Sequence, residues 1–188
     1  MTQDVLDRAI GFATKAHEGQ LRKDGAPFIL HPLEDAAIVA TMTTDREILA
    51  AAVLHDTVED TATTPDDILR EFGERVYTLV MHETENKRPE IHPSESWKIR
   101  KEESLEELAK SDDKAVLMLW LGDKLSNMRA LHRTMERGEP LFRDFNNADP
   151  ISQKWYYGTI LKLLRPLKEQ SAYREYETLF HDVFDCYQ

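Results

Sequence analysis

Residues 51–61 read Ala-Ala-Val-Leu-His-Asp-Thr-Val-Glu-Asp-Thr, and the rest of the chain can be interpreted around this stretch. An apolar helical run leads directly into His55 and Asp56, and two more carboxylates, Glu59 and Asp60, follow one turn later. Because positions four apart on a helix lie on one face, we expect His55 above Glu59 and Asp56 above Asp60. Four ionisable groups at the end of a buried helix are costly unless they are compensated, and a divalent cation would compensate them.

The segment alone does not decide between a metal site and a structural role. His-Asp pairs arise readily by chance, and a second one, His181-Asp182, lies near the C-terminus. Residues 55–60 differ from that second pair because an apolar run precedes them and a Glu-Asp pair follows. The metal-site interpretation therefore depends on candidate ligands elsewhere in the chain.

Composition limits the class of protein. The chain has 188 residues, 41% of them hydrophobic, which is typical of a single soluble domain spanning residues 1–188. It has no signal-peptide pattern and no apolar run near the ~18 residues of a membrane span. Its one cysteine, Cys186, fits a reducing cytoplasm. The net charge of −11 argues against nucleic-acid binding, and an anionic substrate would need local positive charge. We expect a cytoplasmic protein with no membrane or nucleic-acid partner, and oligomerisation stays open.

Apolar periodicity predicts helices throughout the chain and nowhere a strand, because no alternation of period two persists. The predicted fold is all-α, an irregular bundle rather than a simple four-helix one. The mixed charges of residues 95–110 indicate a solvated helix, whereas 113–135 is predicted to be a core helix. The predicted helices cover residues 3–17, 32–41, 45–56, 64–73, 74–83, 95–110, 113–135, 151–168 and 171–186.

Three further elements are candidates for the same site. His31 stands between a loop and a helix, where an imidazole can face a cleft, although a lone His-Pro is usually structural. Asp123 follows a long apolar run and must therefore pair, cap a helix or bind metal, and Asn127 lies one turn further on. Arg22-Lys23 lies in a glycine-flanked loop and could bind phosphate or stack on a base, or be merely solvated.

Three segments together resemble the hydrolase half of the RelA/SpoT alarmone enzymes, and most of all the stand-alone HD-domain hydrolases of that family, including the animal SpoT homologues. The resemblance covers about residues 3–165, and the three motifs occur in the family's order and spacing. They are Ala16-His17-Glu18-Gly19-Gln20 with its continuation to Leu33, Leu54-His55-Asp56-Thr57-Val58-Glu59-Asp60-Thr61, and Leu121-Gly122-Asp123-Lys124-Leu125-Ser126-Asn127-Met128-Arg129.

The resemblance implies an all-helical HD-domain fold, in which one Mn²⁺ acidifies a water molecule and neutralises phosphate charge. The reaction implied is removal of the 3′-diphosphate from ppGpp or pppGpp, a purine nucleotide alarmone, to give GDP or GTP and pyrophosphate. The donor set itself is also compatible with Fe²⁺ or Zn²⁺. The residues implied are His31, His55, Asp56 and Asp123 as ligands, Glu59 and Asp60 for the water, and Arg22, Lys23 and Asn127 for the substrate.

Two departures from the family pattern concern substrate choice. Trp120 and Gly122 stand where the long enzymes usually carry Lys and Ala, and residues 82–86 lack the usual Val-Thr-rich run. We expect neither departure to touch the ligands or the Glu-Asp pair, and both leave the base preference open. The alternatives are an adenine alarmone such as ppApp, NADPH or another 3′-phosphorylated nucleotide, and a non-catalytic binding domain.

Overall fold

The computed structural model describes residues 4–143 and 145–187. Within these residues the chain forms ten α-helices and one short 3₁₀ helix, Arg165–Leu167, and the only β-type pairing is an isolated bridge between Leu21 and Pro27. The all-α prediction is confirmed. The helices are α1 Val5–Ala16, α2 Leu30–Val39, α3 Arg46–Leu54, α4 Thr57–Asp60, α5 Pro65–Phe72, α6 Glu74–Glu83, α7 Pro93–Lys110, α8 Lys114–Glu136, α9 Pro150–Leu163 and α10 Ser171–Phe184.

Capping residues, prolines and glycines place most helix ends close to the predicted positions. Thr64 and Asp67 form a reciprocal capping box at the start of α5, with Pro65 at the first helical position. Gly73 ends α5 with a φ of 86°, a left-handed conformation that favours glycine, and α6 starts immediately after it.

Helix α3 is the centre of the bundle, and it carries the chain into the site. All residues from Ile48 to Leu54 are buried, and the run of three alanines permits neighbouring helices to approach closely. Helices α1, α2 and α6 pack around α3, while α2 and α10 pack on α8. The end of α3 therefore emerges between α2 and α8, the helices that carry His31 and Asp123.

Two sequence predictions were wrong in detail. Helix α3 ends at Leu54, and α4 is a separate turn, so His55 and Asp56 lie at a break between helices rather than along one continuous face. Helix α7 is not simply solvated, because it buries one face that includes Trp97, Arg100 and Leu108.

The sequence left the contacts of the C-terminal helix open. Phe180, Val183 and Phe184 of α10 are buried against the core, so this helix completes the bundle. Among the helices described, none is long and apolar enough to cross a membrane.

Candidate active site

Four side chains from three parts of the chain converge at the end of α3. Nε2 of His31 lies 3.2 Å from Oδ1 of Asp123 and 3.5 Å from Oδ2 of Asp56. Nε2 of His55 lies 3.1 Å from the same Asp56 oxygen and 4.0 Å from the same Asp123 oxygen. Donor atoms that share one ion at about 2.1 Å lie roughly 3 to 4 Å apart, and the four distances given above match that range. Donor atoms of His31, His55 and Asp123 all lie within 4.8 Å of one another, and Asp56 joins them through its contacts with both imidazoles. The sequence predicted this set of four, and the structure brings all four together.

The His31 imidazole is held by a chain of polar contacts that reaches α10. Its Nδ1 lies 2.8 Å from the hydroxyl of Ser126, and that hydroxyl donates to Glu34. Arg129 donates to Glu34 and also, through two nitrogens, to Glu175 of α10. Because the Ser126 proton is used on Glu34, its oxygen accepts from Nδ1–H of His31, which leaves a lone pair on Nε2 facing the site.

His55 has the same tautomer for a different reason. Its Nδ1 lies 2.8 Å from the carbonyl oxygen of Ala52, and a carbonyl can only accept. The lone pair therefore belongs to Nε2, which is buried and has no hydrogen-bond partner among the described residues. A divalent cation would fit the four donors, since two neutral imidazoles and two carboxylates are a common mixed N/O set.

Buried carboxylates dominate the electrostatics of this cluster. Although burial opposes it, Asp56 and Asp35 hold the pKa of His55 well above its usual value. Burial raises the pKa of Asp56, but His55 and then His31 outweigh burial and hold that pKa below its usual value. The carboxylates thus stay charged and attract a proton to Nε2 of His55. A metal ion would replace that proton.

Glu59 and Asp60 lie on α4, beside the cluster and under the segment that follows α6. The backbone N–H of Glu85 donates to Oε2 of Glu59 over 3.1 Å, and Lys87 forms an ion pair with Asp60 and a longer one, 3.6 Å, with Glu59. Burial, then the charges of Asp56 and Glu85, raise the pKa of Glu59 to about 7. A carboxyl with such a pKa suits proton transfer near neutral pH.

The three proposed substrate residues occupy one wall. Arg22 donates to Oδ1 of Asn127 over 3.0 Å, and Asn127 donates to Oδ1 of Asp123 over 2.6 Å. Asn127 therefore holds the helix against the loop, and it also joins Arg22 to a proposed ligand. The ammonium of Lys23 lies 3.5 Å from the ring centre of Phe145.

These groups line one cavity of about 710 Å³, within the range of sites for small ligands. Eight of the 24 Lys and Arg side chains line it, although the chain carries a net charge of −11. Eight Asp and Glu side chains line it as well, so the formal charge of the lining is balanced, and the Lys and Arg side chains together with a bound cation would supply local positive charge for an anionic ligand. The eight Lys and Arg side chains are Arg22, Lys23, Lys87, Arg100, Lys101, Lys124, Arg137 and Arg143.

Sequence reasoning missed several residues of this cavity. Arg100 and Lys101 were assigned to a solvated helix, yet both hold Glu85. The signal was present in the helical spacing of Trp97, Leu105 and Leu108, which the surrounding charges obscured.

The expectation that neither departure would touch the ligands or the Glu-Asp pair was wrong for residues 82–86. The backbone of Glu85, in the stretch that departs from the family pattern, contacts Glu59 directly. Gly122 packs against Asp35, whose Oδ2 lies 3.2 Å from Nδ1 of His55.

The raised carboxyl pKa values predict how the metal-free protein responds to pH. Glu59 has a pKa of about 7, and burial raises that of Glu83 from 4.5 to about 8. A carboxyl with a higher pKa in the folded state binds more protons when folded, so stability falls as pH rises from about 4.5 to about 8. We expect the Tm in chelator to fall by roughly 5 °C or more between pH 5 and pH 8.

The Glu83→Gln variant should show a smaller fall, because its neutral amide no longer titrates. Differential scanning calorimetry across this range measures both proteins. A Tm that rises with pH in the wild type would contradict the assignment of these buried carboxyls.

An all-helical bundle with a His, His-Asp, Asp ligand set is the arrangement of a metal-binding HD domain. The HD domain family matches residues 9–144, and the chain belongs to this family. Membership implies a divalent metal ion, and the described residues contain the donors for one.

Similar proteins fall into two groups. Two curated relatives are the guanosine-3′,5′-bis(diphosphate) 3′-pyrophosphohydrolase of Aquifex aeolicus, 40% identical over 68% of this chain, and a GTP pyrophosphokinase of Myxococcus xanthus, 33% identical over 71%. The match covers 18% of the length of each of these relatives, so the chain corresponds to a small part of them.

Solved structures match over most of their length. A metazoan SpoT orthologue, described as hydrolysing ppGpp and acting in starvation responses, is 24% identical with a TM-score of 0.75, covering 97% of both chains. A Listeria monocytogenes EGD-e protein is 30% identical with a TM-score of 0.69, covering 82% of this chain and 94% of that one. These similarities confirm the HD-domain fold.

Proposed function

We propose that this protein removes the 3′-diphosphate from (p)ppGpp-type alarmones, giving GDP or GTP and pyrophosphate. The observation that carries the proposal is the convergence of four metal-type donors and a Glu-Asp pair at one end of a cavity rich in Lys and Arg. The pyrophosphohydrolase name of the Aquifex aeolicus relative supports the reaction type. The proposal includes a single domain over residues 1–188 and a cytoplasmic location, which the single cysteine suits.

His31, His55, Asp56 and Asp123 would hold the ion, for which Mn²⁺ is our assignment because it accepts mixed imidazole and carboxylate ligands. When bound, the ion supplies Lewis-acid chemistry, lowering the pKa of water and neutralising phosphate charge. Ser126 and the Ala52 carbonyl keep both imidazoles in the tautomer that ligation needs.

Glu59 and Asp60 would orient the attacking water and take its proton. The water oxygen forms a bond to phosphorus, the bond from phosphorus to the ribose 3′ oxygen breaks, and that oxygen acquires a proton. The pKa of Glu59, about 7, suits a general base. Asp60, paired with Lys87, is suited to hold the water in line.

Arg22, Lys23 and Asn127 would hold the nucleotide on the adjoining wall. The planar guanidinium of Arg22 can stack on a purine, and Lys23 supplies charge for phosphate. Further cationic groups of the same cavity, Arg100, Lys101 and Lys124, suit a ligand with several phosphates.

Arg22→Ala should raise KM about tenfold and leave kcat within about twofold. Stacking on a base is worth roughly 1–3 kcal/mol, and it stabilises substrate and transition state alike. Arg22→Lys, which keeps the charge and loses the plane, should show most of the same defect. Steady-state kinetics measures both variants.

The contact between Arg22 and Asn127 makes a metal control necessary for these variants. Asn127 touches Asp123, so the Mn²⁺ affinity of Arg22→Ala should be measured and is expected to equal that of the wild type. A lower kcat with unchanged KM would contradict a role in binding.

The test of the function is a substrate panel. Purified protein with Mn²⁺ is incubated with ppGpp, pppGpp, ppApp, NADPH and deoxynucleotides, and chromatography separates pyrophosphate from phosphate. We expect pyrophosphate from the guanine alarmones. Preference for ppApp or NADPH would favour the alternative nucleotide hydrolases, and binding without turnover would favour a non-catalytic domain.

A further inference from the structure

A buried acid lies directly behind one of the proposed ligands. Asp35 is on the inner face of α2, one turn after His31, and it is 0% exposed. Its Oδ2 lies 3.2 Å from Nδ1 of His55, and neither of its oxygens has a hydrogen bond of regular geometry among the described residues. Burying a carboxyl that lacks a regular hydrogen bond is unfavourable, so packing alone does not account for this residue.

Gly122 of α8 provides the space for that acid. A Cβ at position 122 would lie 2.0 Å from Oδ1 of Asp35 and 2.7 Å from Cγ2 of Val39. Glycine in a helix interior is itself unfavourable. An acid in the core and a glycine in a helix interior each destabilise the fold, and here the two are in contact. The missing Cβ of the glycine leaves room for the acid, which explains why both residues occur together.

Asp35 also belongs to a second group of metal-type donors. One donor atom from each of Asp35, His55 and Glu83 lies within 4.8 Å of the others. However, Nδ1 of His55 is 2.8 Å from the Ala52 carbonyl, so this nitrogen carries a hydrogen and offers no lone pair on the side that faces Asp35. The geometry on this side favours an acceptor for an N–H over a ligand for a metal.

We propose that Asp35 is a positioning residue for His55. Its carboxylate shares the Nδ1 hydrogen with the Ala52 carbonyl, fixes the ring so that Nε2 faces Asp56, and makes that nitrogen a stronger donor to a cation. Gly122 is the residue that admits the carboxylate to this position. The inference rests on one part of the proposed function, namely that His55 binds the metal ion.

Asp35→Asn and Asp35→Ala test the proposal through binding of Mn²⁺ alone, measured by calorimetric titration, and through the Tm of the metal-free protein. Loss of a carboxylate behind a ligating histidine typically weakens metal affinity 10–100-fold. We expect a loss in that range for Asp35→Ala and a smaller one for Asp35→Asn, which keeps an acceptor. The Tm of metal-free Asp35→Asn should equal or exceed that of the wild type, because a buried charge is removed.

A matched control on the same helix separates positioning from packing. Ile38→Val changes another buried residue of α2, and it should lower the Tm without changing Mn²⁺ affinity. Gly122→Ala should lower both quantities. The double variant Asp35→Ala/Gly122→Ala should recover part of the lost Tm, because the Asp35 clash is removed while Val39 still contacts position 122. Its Mn²⁺ affinity should not recover.

Wild-type affinity in both Asp35 variants would overturn the proposal. So would a stoichiometry of two ions in the wild type that falls to one in Asp35→Asn, because Asp35 would then be a ligand. Normal Mn²⁺ binding without turnover on the substrate panel would overturn the proposed function and leave the role of Asp35 intact. A wild type that binds no divalent ion would overturn both.

Discussion

Replacing His55 with alanine is expected to abolish metal binding and the proposed hydrolase activity together. His55 supplies one of four converging donor atoms, and its Nε2 has no other hydrogen-bond partner among the described residues. Loss of one ligand leaves Asp56 and Asp123 facing a single imidazole, too few donors to retain the ion through desalting. Because the ion supplies several kcal/mol of transition-state stabilisation, we expect activity to fall by about 10³-fold or more. Asp56→Ala should behave in the same way.

The measurement is metal content by mass spectrometry after desalting, alongside turnover of the preferred nucleotide. The chain offers a matched control in its second His-Asp pair, since the His181 side chain is exposed, pairs with Asp185 and contacts the Phe180 ring, all away from the cluster. His181→Ala should keep wild-type metal content and activity. Activity that survives in His55→Ala without metal would show that the site is assigned to the wrong residues.

Asp60→Asn will leave the metal in place and reduce kcat by roughly 10²–10⁴-fold, the usual contribution of a positioned acid or base. Asp60 lies outside the ligand set, so the isosteric amide does not disturb the four donors. The amide cannot hold or deprotonate water as a carboxylate does. Glu59→Gln should produce a comparable loss, and the ascending limb of the wild-type pH–rate profile should disappear in that variant.

Asp60 also pairs with Lys87, so a second variant must separate chemistry from that ion pair. Lys87→Met removes the pair and retains the Asp60 carboxylate. Its kcat should fall much less than that of Asp60→Asn, since exposed ion pairs contribute little to stability. Equal kcat losses in the two variants would assign the effect to the ion pair, and wild-type turnover in Asp60→Asn would refute the catalytic role.

Short-range patterns predict the helices, whereas the proposed ligands follow from the resemblance of three motifs to a known family. Apolar spacing and capping residues mark the helices, as Thr64 does for α5. The ligands stand in compact motifs whose order and spacing are specific. The structure adds that His55 and Asp56 lie at a helix break, which no propensity of the surrounding alanines indicates.

What the sequence conceals depends on pairs of residues that are distant along the chain. Asp35 follows another acid, Glu34, on α2, and its buried position is understandable only beside Gly122 on α8. Arg100 and Lys101 line the cavity because α7 packs its Trp97 face inward, while the many charges of that helix suggest exposure. Pairings of this kind become visible only once helix packing is known.

The contact between Arg129 and Glu175 has a consequence for where this domain can be cut or grafted. The family match ends at residue 144, and every proposed ligand lies before it. Glu175, on the last helix, accepts hydrogen bonds from Arg129, which also donates to Glu34. Glu34 in turn accepts from Ser126, whose hydroxyl contacts the His31 ring. A fragment ending at residue 144 would retain the proposed ligands but lose Glu175, which holds Arg129 in place. The unit that can be transferred to another protein is therefore longer than the stretch that matches the family.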